Sequence, residues 1–197
     1  GAFYSAEDAD SEGIEGKFYV WTKEEIEKTL GRKTASVAIP FYNVTQKGNF
    51  EGKNILYLTR EPETVAKEIG MNPDDFSKEL QTAREKLLAV RSKRIRPLID
   101  DKILTSWNSL MISAMAKTGR VLEDAERIEK AAKAMQFLLD QLRTADGKML
   151  RRYRDGEARY DGYLFDYSAT AVACLELYET TYDACYIQTA LELMQLI

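Results

Sequence analysis

The sequence predicts a mainly α fold: part of an α/α toroid of helical hairpins (six-hairpin glycosidase-like), with short β-hairpins. Three observations predict it. From residue 62 onward, apolar residues recur at helical spacing between recognisable start and stop signals. The last four helical segments form two hairpins that repeat one another at an offset of 59. A long connection bearing its own hairpin separates the two copies, and in a toroid such loops crowd one end of the ring.

Residues 1–60 read as a mixed segment of loops and short strands, and 61–197 as helical hairpins, together a fragment of one toroid domain. Phe18-Tyr19-Val20-Trp21 has the aromatic and β-branched make-up of a short strand. Thr22-Lys23-Glu24-Glu25 is a capping box opening a helix that ends at Gly31. A further helix over Ser36 to Tyr42 is interrupted by Pro40, and the turn-rich stretch Gly48 to Asn54 leads into a strand over Ile55 to Leu58. Pro62 to Ile69 is a short helix. Asn72-Pro73-Asp74-Asp75 supplies a cap, a proline at the first helical position and acids in the first turn, for a helix reaching Ser92. Helices over Lys102 to Leu122 and Ala125 to Leu142 follow. Met149 to Tyr160 is a β-hairpin with Asp155-Gly156 at its tip, and helices over Leu164 to Thr180 and from Ala184 complete the chain.

The repeat is visible when DAERIEKAAKAMQFL (Asp124 to Leu138) is set under DACYIQTALELMQLI (Asp183 to Ile197). Asp, Ala, Ile, Ala, Met and Gln coincide. A hairpin repeated at this spacing cannot bury its apolar face alone, so copies stack side by side.

Composition limits the chemistry. Hydrophobic residues make up 45% and charged residues 30%, with a net charge of −4, which gives no reason to approach nucleic acid or an anionic membrane. The basic cluster Arg91, Lys93, Arg94 and Arg96 reads as a solvated helix end. No apolar run is long enough to span a bilayer. The two cysteines, Cys174 and Cys185, form no C-x-x-C and fit a reducing cytoplasm. There is no histidine, so any catalysis within the chain must rest on carboxylates, Tyr, Lys or Arg, and no metal or cofactor is expected. The chain opens on Gly1 without an initiator Met and stops at Ile197 inside a helical pattern; it is read as an excised piece whose remainder holds part of any active site.

Four clusters are candidates for function. Glu7, Asp8, Asp10 and Glu12 imitate a calcium loop, but the twelfth position from Asp8 is Tyr19, where an EF-hand needs a bidentate Glu, so they are taken as a solvated acidic loop or as substrate contacts. Asp100, Asp101 and Lys102 precede Trp107 and Asn108, placing paired acids at a helix start beside a ring and an amide suited to sugar hydroxyls. Arg152 and Arg154 alternate with Arg151 and Tyr153 on the hairpin. Tyr163, Phe165, Asp166 and Tyr167 open the next helix. If Asp101 and Asp166 converge, they supply a general acid and base for glycoside hydrolysis, with Trp107 raising one pKa.

The segments FYSAEDADSEGIEGKFYVWTKEEI (Phe3 to Ile26), GNFEGKNIL (Gly48 to Leu56), RPLIDDKILTSWNSLMISAMAK (Arg96 to Lys117) and LRRYRDGEARYDGYLFDY (Leu150 to Tyr167) resemble the thioredoxin-domain-containing family that includes bacterial YyaL and the spermatogenesis-associated homologues of animals. The resemblance implies an interior part of a toroid similar to that of N-acylglucosamine epimerases, with a thioredoxin-like domain as a partner in the full-length protein. Here Phe165 stands where the family pattern G-Y-L-D-D-Y has its first acid, and Ser109 follows Asn108 where Gly is usual. Three functions are therefore weighed: a glycosidase- or epimerase-like enzyme acting through Asp100, Asp101 or Asp166; a non-catalytic sugar- or peptide-binding module serving the thioredoxin-like domain; and a helical scaffold. Exposed hairpin faces also predict self-association of the fragment.

Overall fold

The computed structural model describes residues 1–197. In chain order its elements are β1 (Ala6–Glu7), β2 (Asp10–Ser11), β3 (Ile14–Glu15), α1 (Lys23–Phe41), α2 (Pro62–Glu68), α3 (Pro73–Arg91), β4 (Ile99–Asp100), β5 (Ile103–Leu104), α4 (Thr105–Val121), α5 (Ala125–Gln141), β6 (Leu150–Arg154), β7 (Glu157–Asp161), α6 (Leu164–Thr181) and α7 (Ala184–Met194). The protein is mainly α with short antiparallel strands. No helix is long and apolar enough to cross a membrane.

The chain forms two compact units. One comprises Gly1–Glu7 with Ile99–Ile197, the other Asp8–Leu98. Each unit has a closed neck. In the first, Glu7 pairs with Ile99 and Ala6 with Asp100; in the second, the Asp8 N–H donates to the Leu98 carbonyl over 2.8 Å.

In the unit Asp8–Leu98, the capping box at Thr22 forms as its sequence demands: the Thr22 hydroxyl accepts from the Glu25 amide over 3.1 Å, and the Glu25 carboxylate from the Thr22 amide over 2.8 Å. Gly31 breaks α1 with φ +75° and ψ 165°, and Pro40 lies within the last turn rather than interrupting it. Asn72 caps α3 by accepting from the Asp74 amide over 2.8 Å. Two expected strands do not form. Tyr19 and Val20 turn back to donate to the Gly16 carbonyl, so only Trp21 of the Phe18–Trp21 run pairs, with Asn54. The Ile55 backbone is satisfied in both directions by the Asn49 side chain, which removes the groups a strand over Ile55 to Leu58 would need. Asn54 itself is buried and ties together Trp21 and Thr45. Within the basic cluster Lys93 and Arg96 are exposed, but Arg94 turns inward. One Arg94 nitrogen donates to the carbonyls of Phe18 and Val20 at 2.9 and 2.8 Å, and the guanidinium lies 4.0 Å from the Trp21 ring centroid.

In the other unit, α4–α5 and α6–α7 are the two hairpins, and α4 lies beside α6. Asp124 and Asp183, aligned by the repeat, both cap the second helix of their hairpin, accepting from the amides of Arg127 and Cys185. The apolar faces of Ile112, Met135, Leu138, Cys174, Leu177 and Leu193 are fully buried in one core. The expected β-hairpin is present, with Asp155 and Gly156 at φ +53° and +79° in its two-residue turn. Helix α4 begins at Thr105 rather than Lys102, because Ile103 and Leu104 pair with Tyr153 and Arg152 as an extra strand of that hairpin.

Candidate functional site

Small polar residues line the seam between α4 and α6. The Ser109 and Thr170 hydroxyls lie 2.8 Å apart, each also within reach of the carbonyl one turn back; with one proton apiece, one hydroxyl donates to the other, which donates to its own helix's carbonyl, so neither is left unsatisfied where water is excluded. At the N-terminal end of the seam sits Asp166, which is fully buried. Its Oδ1 accepts from the Ser106 amide over 3.1 Å, and its Oδ2 accepts from the Tyr163 amide over 2.9 Å and lies 3.4 Å from Arg151 Nη1. One carboxylate thus serves the first turns of two helices, where unpaired amides and the helix dipoles favour an anion.

The other acids have separate partners. Asp100 lies on β4 and Asp101 on the turn after it, so neither caps α4 as the sequence suggests. The Lys102 ammonium sits 2.7 Å from Asp100, and its hydrogen bond, with that of Ser5, holds the Asp100 carboxyl below the usual carboxylate range. A general acid needs the opposite shift. Asp101 pairs with Arg154 at 2.7 Å beside a shallow depression of about 240 Å³ that also contains Tyr4, Phe137 and Tyr153 but not Asp166.

The remaining candidates divide into buried and exposed groups. Asn108 is buried: its side chain accepts from the Phe3 amide over 2.8 Å and donates to the Phe3 carbonyl over 3.0 Å and the Leu104 carbonyl over 2.9 Å. Tyr167 is buried with its hydroxyl accepting from the Met149 amide over 3.1 Å. Tyr153 packs edge-on against Phe137, their ring centroids 5.1 Å apart. Glu7 belongs to strand β1, whereas Asp8 and Asp10 lie in the other unit, where the Asp8 carboxylate accepts from the Asp10 amide over 3.1 Å.

What is left exposed is aromatic. Trp107 is 54% exposed, one residue from the Ser106 amide that Asp166 binds, and Tyr163 is 64% exposed, its own amide on the same carboxylate. Arg151 lies over the Tyr163 ring at 4.8 Å from its centroid, and Arg152 over the Tyr160 ring at 5.4 Å. Tyr160, exposed and held at φ +65°, was not among the residues the sequence picks out. Arg152 is in register with Arg159, not Tyr160, so strand spacing offers no signal for this contact.

No protein-family model matches the chain. Among curated proteins, human spermatogenesis-associated protein 20 is 30% identical over 98% of this chain and 29% of its own length. The rat protein of the same name is 27% identical over 100% of this chain and 29% of its own length. Uncharacterized protein B0495.5 of Caenorhabditis elegans is 29% identical over 100% and 31%. A solved structure, the Lin0763 protein from Listeria innocua, is 19% identical with a TM-score of 0.47, covering 68% of this chain and 41% of that one. The chain therefore spans less than a third of the curated relatives it matches. Nearly all of it is homologous to that stretch of spermatogenesis-associated protein 20, the family its motifs resemble.

Proposed function

We propose that this chain is a non-catalytic recognition module that binds a sugar on the exposed rings at the N-terminal ends of α4 and α6. The observation that carries this reading is the engagement of every acid nominated for catalysis. Asp166 is fully buried with both oxygens bonded, Asp100 is paired with Lys102, and Asp101 with Arg154. A glycosidase needs two carboxyls facing one bond, one of them kept protonated; here one acid is sealed in a helix seam and another is held ionised.

The rings offer what the acids do not. Trp107 and Tyr163 present flat apolar faces suited to the C–H face of a pyranose. Arg151 covers one side of Tyr163 and carries N–H donors for hydroxyl oxygens. In a longer protein of the family, such a module would hold a ligand for an attached thioredoxin-like domain, and the two stacked hairpins would form part of an α/α toroid.

The test is a thermal-shift and fluorescence titration of the chain with neutral, amino and uronic sugars. A sugar should raise the melting temperature of wild type, lose that effect in Trp107→Ala and Tyr163→Ala, keep it in Asp101→Asn, and emerge chemically unchanged. Absence of any response with the variants folded overturns the sugar reading. Turnover that Asp101→Asn abolishes restores the enzyme.

A further inference from the structure

The unit Asp8–Leu98 contains an apolar cavity of about 290 Å³ that the reading above leaves unused. One wall is a stripe of α3: Arg84, Leu87, Leu88 and Arg91 follow the i, i+3, i+4, i+7 spacing of a single helix face. The opposite wall is Tyr42 and Leu56, and the buried Trp21 indole lies between them. Leu88 is half exposed at the mouth.

Two guanidinium groups lie at the ends of this apolar stripe, and neither has an acid partner. Arg84 directs its Nε to the Tyr42 hydroxyl over 3.1 Å. Arg91 rests against the rings of Phe18 and Tyr19, 5.8 and 5.7 Å from their centroids. Two other arginines of this unit do meet acids, Arg60 at Glu68 and Arg94 at Glu25. Arginines placed beside apolar surface, with forked donors unused by carboxylates, suit an anionic group joined to an apolar body.

We propose that this cavity binds a small monocarboxylate with an apolar body. The body lies along Leu87 and Leu88 over Trp21, and the carboxylate pairs with Arg84 or Arg91. At the roughly 30 Å³ that a water molecule occupies in the liquid, the volume takes about ten non-hydrogen atoms, the size of octanoate.

Trp107→Phe leaves Trp21 as the single indole, so its fluorescence reports on the cavity. In that background octanoate should give a saturable change with Kd on the order of 1 mM or tighter. The neutral 1-octanol should bind about tenfold more weakly, the expected loss of one charge-assisted hydrogen bond. Whichever of Arg84→Met and Arg91→Met removes the paired guanidinium should weaken octanoate by about that factor, the other by much less, and both should leave octanol unchanged. Leu88→Asp, at an exposed position that tolerates a charge, should repel octanoate more than octanol. 3-Phenylpropanoate distinguishes the two kinds of body: tighter binding than octanoate assigns an aromatic acid, weaker binding an aliphatic one. Equal affinity for octanoate and octanol, indifference to all three substitutions, or no saturable signal would overturn the proposal.

Discussion

The backbone N–H of Ser106 donates to Oδ1 of Asp166 over 3.1 Å, so an acid at the start of α6 completes the first turn of α4. The two helices belong to different hairpins, 60 residues apart in sequence at this contact. A carboxylate shared in this way fixes the register of one repeat against the next, which apolar packing alone does loosely.

Asp166→Ala should therefore lower the unfolding free energy by about 3 kcal/mol, since it leaves the Ser106 and Tyr163 amides unpaired inside the protein. Asp166→Asn, which keeps one carbonyl oxygen, should cost less. Arg151→Met should cost least, because Arg151 is half exposed and its contact is long. Urea unfolding of the three variants gives the order; a ranking led by Arg151→Met would contradict the capping role.

Asn108 binds Phe3 through both its backbone N–H and its carbonyl. Asn108→Ala should free the first residues, speed amide exchange at Phe3, and reduce stability by about 1–3 kcal/mol. Its neighbour Trp107 is exposed, so Trp107→Ala should change stability by less than about 0.5 kcal/mol. The two adjacent substitutions, compared by hydrogen exchange and urea unfolding, separate a structural residue from a surface one.

The two thiols should behave differently. Cys174 is buried beside Met135 and burial pushes its pKa up to about 12, whereas Cys185 is exposed. A thiol reagent at pH 8 should label one site on the native chain and two in denaturant. For Cys174 the folded form holds its proton to higher pH than the unfolded one. Its contribution to stability is therefore complete below the unfolded pKa near 8.5 and declines as pH rises towards 12, by at most about 1.4 kcal/mol per pH unit. Unfolding measured at pH 8 and pH 10 in wild type and Cys174→Ala isolates that slope, which should be smaller in the variant.

Gly31 holds a backbone conformation that L-residues avoid, yet a Cβ there would meet nothing within 4 Å. Gly31→Ala should cost about 1–3 kcal/mol through the backbone alone. Far-UV circular dichroism should keep its helical signal while the melting temperature falls. An unchanged melting temperature would mean that the kink is not required.

Local signals were the legible part of the fold. Thr22, Asn72 and Asp155-Gly156 each act within a few residues of themselves, and each does in the structure what its chemistry predicts. Departures arise chiefly where a distant partner intervenes. Lys102 reads as helical because nothing nearby shows that Ile103 and Leu104 pair with β6. The strand expected over Ile55 to Leu58 after the turn-rich stretch is displaced by a local competitor, the Asn49 side chain, 6 residues away. Arg94 looked solvated because its carbonyl partners lie more than 70 residues away. The same limit applies to the site. Asp166 reads as a catalytic acid and Asn108 as a substrate contact near helix starts, but sequence cannot say whether they face a ligand or other parts of the backbone. Both turn inward.

The closed necks at Glu7–Ile99 and Asp8–Leu98 bear on the order of folding. To bring residues 1–7 against the helices that follow Ile99, an unstructured chain must close a loop of roughly ninety residues, at an entropic cost of about 4 kcal/mol. A unit Asp8–Leu98 that has already folded delivers its two ends side by side, and that cost disappears from the second step. The inserted segment thus acts as a preformed staple for the chain around it, and the two units should fold in that sequence, inner before outer.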